Sequence, residues 1–278
     1  MTGINKQKLR FQVENTHNLP TIPATLKNIL NFLENPSVSI NKISDFISKD
    51  PVLAMKVLKM INSPVYGFPG RISSVNQAVL LLGLNVIKGM LLGVSVFELM
   101  QKAMVGLWEH SIGCAALSSM MAKKKGLKSP EDITIAGLLH DIGKVLLAVN
   151  IPEVYERLIA ATEKNGLTIL EEENTELATN HAEVGSWIAS KWNFPKNLIE
   201  IIQYHHEPYK ARIARTECAI VHISDIIVRA RGFGFAGDNL IPEANQEAWD
   251  ILGFSDDDIR ELLIGMEDSL EDYEDLGA

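Results

Sequence analysis

The stretch AGLLHDIGKVLL, residues 136–147, sets His140, Asp141 and Lys144 inside an otherwise apolar run. Ionisable side chains in such surroundings are costly to bury unless a partner, a metal or a substrate compensates them. Other segments share that character: His110 in LWEHSIG, His181 in TNHAEVGSW, His205 and His206 in IQYHHEP, and Asp225 in VHISDIIVRA. One core imidazole satisfied by a carbonyl is commonplace, but a series of them on successive segments would each need a private partner. A shared metal centre answers that need, because imidazole and carboxylate suit divalent Mn, Fe, Co, Ni and Zn. Five histidines and two aspartates are more donors than one ion takes and suit two. The expected division gives one ion His110, His140, Asp141 and Asp225, and the other Asp141, His181, His205 and His206. Asp141 is then the bridge.

The elements that must position these residues read as helices. Ile22, Leu26, Ile29, Leu30 and Leu33 recur at three- and four-residue spacing until Asn35-Pro36 stops the pattern. Ile40, Ile43, Phe46 and Ile47 mark a second helix, and Asp50-Pro51 is an N-cap and first-turn proline for a third. Ser74 to Gln77 reads as a capping box after the loop NSPVYGFPGRISS. A helix carrying His110 should end at Gly126 behind Lys123, Lys124 and Lys125, whose charge suits a C-terminal dipole. Ser129-Pro130 opens a further helix, expected to run unbroken through ITIAGLLHDIGKVLLAV, with the His-Asp pair in its middle. Pro152 and Gly166 bracket another, and Asn180 caps the helix of His181. From Ser255 an acidic amphipathic helix carries Ile259, Leu262, Leu263, Met266, Leu270 and Tyr273 on one face. No segment has the alternation and tight turns of a sheet.

The totals exclude several classes of function. A net charge of −9 argues against nucleic acid or an anionic membrane as partner. Two distant cysteines, Cys114 and Cys218, indicate a reducing compartment and no thiolate zinc motif. The run from Val79 to Met100 is long enough to invite a transmembrane reading, yet Asn85, Lys88 and Glu98 interrupt it. A central lysine costs about 2.5–3.5 kcal/mol on insertion scales, so a buried helix pair broken near its glycines is expected. With no apolar signal segment, the expected location is cytoplasmic. Cys114 lies one turn after His110 and reads as core packing. His222 is a candidate partner for Asp225, and His17 sits in a polar leader with no assigned role.

The HDIGK motif, with histidines on both sides and a late aspartate, resembles the HD superfamily of metal-dependent phosphohydrolases. The phrases LPTIPATLKNIL, ISKDPVLAMKVLKMINSPVYG, ISSVNQAVLLLGLNVIKGMLL and HAEVGSWIASKWNFPKNLIEIIQYHHEP are more closely similar to an HDOD domain, the HD-related output domain of bacterial signalling proteins. The resemblance implies an all-α, HD-like helical bundle with an N-terminal helical lobe. It divides the chain into a leader (1–18), an HDOD domain (19–232, with lobes 19–105 and 106–232) and an acidic helical extension (233–278).

HDOD domains have commonly lost the HD ligands and act as regulators, whereas this chain keeps a set like that of the HD-GYP phosphodiesterases. It lacks their Gly-Tyr-Pro motif, reading PYKARIARTE after HHE, and has Gly106 where a third-metal carboxylate would stand. The expected function is therefore a signal-transduction regulator with a retained binuclear centre, acting through its surface on a signalling protein. The alternative is a phosphohydrolase or phosphodiesterase acting on a nucleotide or cyclic dinucleotide. A purely structural metal staple is a third reading. In the enzyme reading Asp141 and Lys144 are catalytic, with Lys144 meeting phosphate as a point charge. In the regulatory reading Lys144 pairs with a carboxylate such as Glu207.

Overall fold

The caps written into the sequence start most of the helices. In the computed structural model, which describes residues 5–16, 24–66 and 70–271, helix α1 spans Lys6–Glu14 and α2 Ala24–Leu33. Ser39 caps α3 (Ile40–Ser48) through the Lys42 amide, and Asp50 caps α4 (Pro51–Ile61) through the amides of Val52 and Leu53. Ser74 accepts from Gln77 to open α5 (Val75–Ala103). The remaining helices are α6 (Leu107–Lys124), α7 (Pro130–Leu139), α8 (Ile142–Asn150), α9 (Pro152–Asn165), α10 (Ile169–Leu177), α11 (His181–Lys191), α12 (Lys196–Tyr204), α13 (Arg215–Ala230), α14 (Gln246–Leu252) and α15 (Asp256–Glu271). Among the described residues there is no strand, so the fold is all-α as expected. The positions of His17 and Tyr273 lie outside the described residues.

Helices α2, α3 and α4 pack on α5, and α5 continues onto α6, α7 and α8. Among the described residues α5 alone has the length and hydropathy to cross a bilayer. It is instead a core helix: Ile87, Met90 and Leu91 are fully buried, and Gly89 and Gly93 lie against Ile135 and Leu138 of α7. Its bend falls at Gly83, whose φ of 80° is open to glycine. The second half packs α6 against α7 and α13, and α11 against α8 and α12. The polar leader contributes α1, which lays Leu9 and Val13 on α8 and α11.

One expectation is corrected. The His-Asp pair does not sit within a continuous helix: α7 ends at Leu139, and α8 begins anew with Asp141 as its N-cap at φ −95°, ψ 10°. The reason is geometric. Neighbours on an unbroken helix point about 100° apart, and the break lets His140 and Asp141 face one centre. It also sets the Asp141 carboxylate at a helix N-terminus, where negative charge is favoured.

The acidic helix α15 docks on α6, burying Leu262, Met266 and Leu270, while Lys124 pairs with Asp258 at 2.8 Å and Glu261 at 2.6 Å. Burying each such side chain contributes about 1.5–3 kcal/mol before ordering entropy is charged against it. Removing residues 255–278 should therefore lower Tm by several degrees, at about 2–4 °C per kcal/mol for a chain of this size. Metal content should not change, because α15 supplies no donor. Thermal melts and elemental analysis of the truncated protein check both halves; an unchanged Tm would refute the docking role.

Candidate metal centre

Four helices and the turns after two others deliver the candidate donors. His110 lies in the first turn of α6, His140 just past the end of α7, and Asp141 at the start of α8. His181 opens α11, His205 and His206 follow α12, and Asp225 lies in the middle of α13. All seven converge around Asp141. Its Oδ1 is 3.3 Å from His181 Nε2 and 3.8 Å from His205 Nε2. Its Oδ2 is 3.4 Å from His140 Nε2, 3.6 Å from His110 Nε2 and 2.6 Å from Lys144 Nζ. Asp225 Oδ1 lies 3.2 Å from His110 Nε2. Two sets of four donors emerge, His110, Cys114, His140 and Asp225 in one and Asp141, His181, His205 and His206 in the other, each set within 4.8 Å.

The centre is desolvated and incompletely satisfied. His140, Asp141, His181 and His205 are wholly buried, and His206 alone of the seven keeps appreciable exposure, 11% of its side chain. His140 Nε2, His205 Nε2, Asp141 Oδ1 and Asp225 Oδ1 are buried without a hydrogen-bond partner. His140 Nδ1 donates to Gly137 O at 2.7 Å and His205 Nδ1 to Ile202 O at 2.8 Å, which turns each free Nε2 lone pair inward. Buried acceptors aimed at each other are unstable company unless a cation stands between them. The donor set thus fits divalent metal.

Burial disfavours charge on the rings of His110, His140, His205 and His206. At His205 and His206, with neighbouring imidazoles adding to it, the pKa falls well below the ordinary value. At His110 burial outweighs the pull of Asp225. At His140 the same burial is overcome by Asp141, and the pKa rises. Both aspartates stay well below the carboxylate range despite burial, Asp141 through His140 and Lys144, and Asp225 through His110. The lowered rings of His110, His205 and His206 and the two ionised carboxylates are thus set toward the protonation states a metal requires.

A family model for the HDOD domain matches residues 19–208. The chain belongs to the HDOD family. Among solved structures, an HDOD domain protein of unknown function from Geobacter sulfurreducens has a TM-score of 0.67 at 25% identity, covering 96% of each chain. A Shewanella amazonensis SB2B protein provisionally named a phosphohydrolase shares the fold, with a TM-score of 0.62 and 21% identity over 95% of this chain and 93% of its own. An uncharacterized protein of Treponema pallidum (strain Nichols) is 28% identical over 206 residues, which is 70% of this chain and 40% of that protein. The chain spans less than half the length of the curated relatives it matches.

Several residues that support the centre of this HDOD protein escape a reading of motifs. Glu173 of α10, wholly buried, accepts from His181 Nδ1 at 2.6 Å and from the His181 amide at 2.8 Å, and Tyr155 donates to its other oxygen at 2.8 Å. A carboxylate behind an imidazole fixes the ring and raises its basicity. The available signal was its register: Ile169, Glu173 and Leu177 fall at i, i+4 and i+8 on α10, all buried. His222 donates to His205 O at 2.8 Å and accepts from the Asn245 amide at 3.0 Å, so it steadies the His205 backbone and does not partner Asp225. Lys144 Nζ donates to Ala236 O at 2.8 Å as well as to Asp141, while Glu207 bonds Tyr209 and Lys210 instead. The loop of Ala236 is seated by the Phe235 amide on Gly106 O and by Asp238 on the Ile169 amide. Asp225 and this loop close the centre from beyond the span matched by the family model.

Proposed function

We propose that this protein is an HDOD regulator of bacterial signal transduction whose core holds two divalent transition-metal ions. His110, His140, Asp141 and Asp225 serve one ion and Asp141, His181, His205 and His206 the other, with Asp141 between them. The observation that carries the regulatory reading is the enclosure of Lys144. It is 1% exposed, and its ammonium is engaged by Asp141 Oδ2 and Ala236 O. In this state the lysine offsets carboxylate charge and offers nothing to a phosphate from solvent. The output then lies in the surface that the metal-braced helices present to a signalling protein, with the HDOD domain taken as residues 19–232 and its two lobes meeting near residue 105.

One observation favours the phosphohydrolase reading. Two divalent ions exceed the charge of Asp141 and Asp225, an excess that would hold a phosphate and acidify a bridging water, and His206 opens that side of the centre. The provisional name of the Shewanella relative agrees with it. The two readings separate in a single experiment on the purified chain. Elemental analysis is combined with a hydrolysis screen over bis(p-nitrophenyl) phosphate, nucleotides and cyclic dinucleotides. The regulator is expected to carry two divalent equivalents and turn over none of these substrates. Turnover that disappears in Asp141→Asn would overturn it in favour of the enzyme.

A further inference from the structure

We infer that Cys114 is a thiolate ligand of the ion held by His110, His140 and Asp225. The inference rests on the metal-centre reading and changes its chemistry. Cys114 is wholly buried on α6 one turn after His110, so the two side chains share a helix face. Its Sγ lies 3.5 Å from His110 Nε2, and it forms with His110, His140 and Asp225 a four-donor set within 4.8 Å. Two members of that set, His140 Nε2 and Asp225 Oδ1, are buried acceptors without a partner. A sulfur packed beside two such atoms stands where a cation is needed.

The backbone holds Cys114 in this place. A Cβ on Gly137 would come within 2.8 Å of Cys114 O and 3.0 Å of Ala115 Cα, so glycine lets α7 press directly on α6 at Cys114. The carbonyl of the same Gly137 accepts from His140 Nδ1 and turns its Nε2 inward. One residue therefore seats both the cysteine and a histidine of the set. Cys218, the other cysteine of the chain, differs: its thiol donates to Glu200 O at 3.6 Å, away from the centre.

Metal binding at Cys114 exchanges an S–H bond for a sulfur–metal bond, and the proton leaves to solvent with no change of oxidation state. The thiolate removes one positive charge from the excess that two ions bring. It also biases the first site toward softer ions, zinc, iron or cobalt, over manganese or magnesium.

Cobalt(II) tests this, because a thiolate ligand gives it an intense ultraviolet charge-transfer band that nitrogen and oxygen ligands do not. The full-length protein is stripped, reloaded with cobalt(II) and read by absorption and elemental analysis. The wild type and Cys218→Ser should both have the band, and Cys114→Ser should lose it together with the cobalt of that set while keeping the remainder. If Cys114→Ser does not fold, a band kept by Cys218→Ser still assigns the sulfur, since the chain has only two cysteines. Bound cobalt without the band, or a band lost in Cys218→Ser, overturns the thiolate ligand but leaves the metal centre standing. No bound cobalt at all overturns both.

Discussion

Replacing Asp141 by alanine should empty both halves of the centre and destabilise the protein by about 3–5 kcal/mol, the cost typical of removing one partner of a buried ion pair. In the proposed division the carboxylate serves both ions: its Oδ2 lies 3.4 Å from His140 Nε2 and 3.6 Å from His110 Nε2, and its Oδ1 3.3 Å from His181 Nε2, so both should be lost with it. It is also the counter-charge of Lys144, whose ammonium would be left in a buried position bonded to Ala236 O. These two effects can be separated. In the Asp141→Ala/Lys144→Met double variant the orphaned charge is gone, so stability should largely return while metal does not. Chemical denaturation and elemental analysis of the single and double variants give both numbers. Two full metal equivalents in Asp141→Ala would refute the bridging role.

Gly143→Ala should be nearly as severe without touching a donor. The added Cβ would fall 1.9 Å from His181 O, 2.7 Å from His181 C and 2.9 Å from the Gly185 amide nitrogen. These are backbone atoms, which cannot swing aside, so α8 and α11 must separate. Overpacking of this kind costs about 1–3 kcal/mol and sometimes more. The separation carries His181 Nε2 away from Asp141 Oδ1, now 3.3 Å apart, so the second set should bind its ion more weakly. Gly185→Ala is the control. Its added Cβ meets first the side-chain tip of Ile202 at 2.8 Å, which can give way. Calorimetric metal titration should therefore separate the two variants clearly; equal affinity for metal in Gly143→Ala and wild type would break the argument.

What the sequence disclosed about this centre, and what it hid, follows from how local each signal is. Caps are local, and Asp50, Ser74 and Asn180 start their helices where their side chains indicate. The donor histidines stand out because imidazoles in apolar segments are chemically conspicuous, and all five, with Asp141 and Asp225, meet in space. The break between α7 and α8 left no such mark: no glycine or proline separates Leu139 from Ile142, and the turn forms because tertiary geometry demands it. Glu173 was hidden in the run EEEN, where adjacent acids read as a solvated face. Ala236 was beyond reach for another reason, since it acts through a backbone carbonyl that carries no side-chain signature. Cys114 was visible but ambiguous, its proximity to His140 and Asp225 being a matter of helix crossing rather than spacing.

The near-complete burial of the candidate donors has a consequence for how the proposed centre would acquire metal. With His206 as the one ring at the edge, an ion cannot exchange with the medium unless the helices around the centre part, and such openings draw on the stability of the packed core itself. Exchange is then gated by the protein rather than by the affinity of its ligands. Any ion bound there would be a record of what was available as the chain folded, insensitive to later competition from tighter-binding metals.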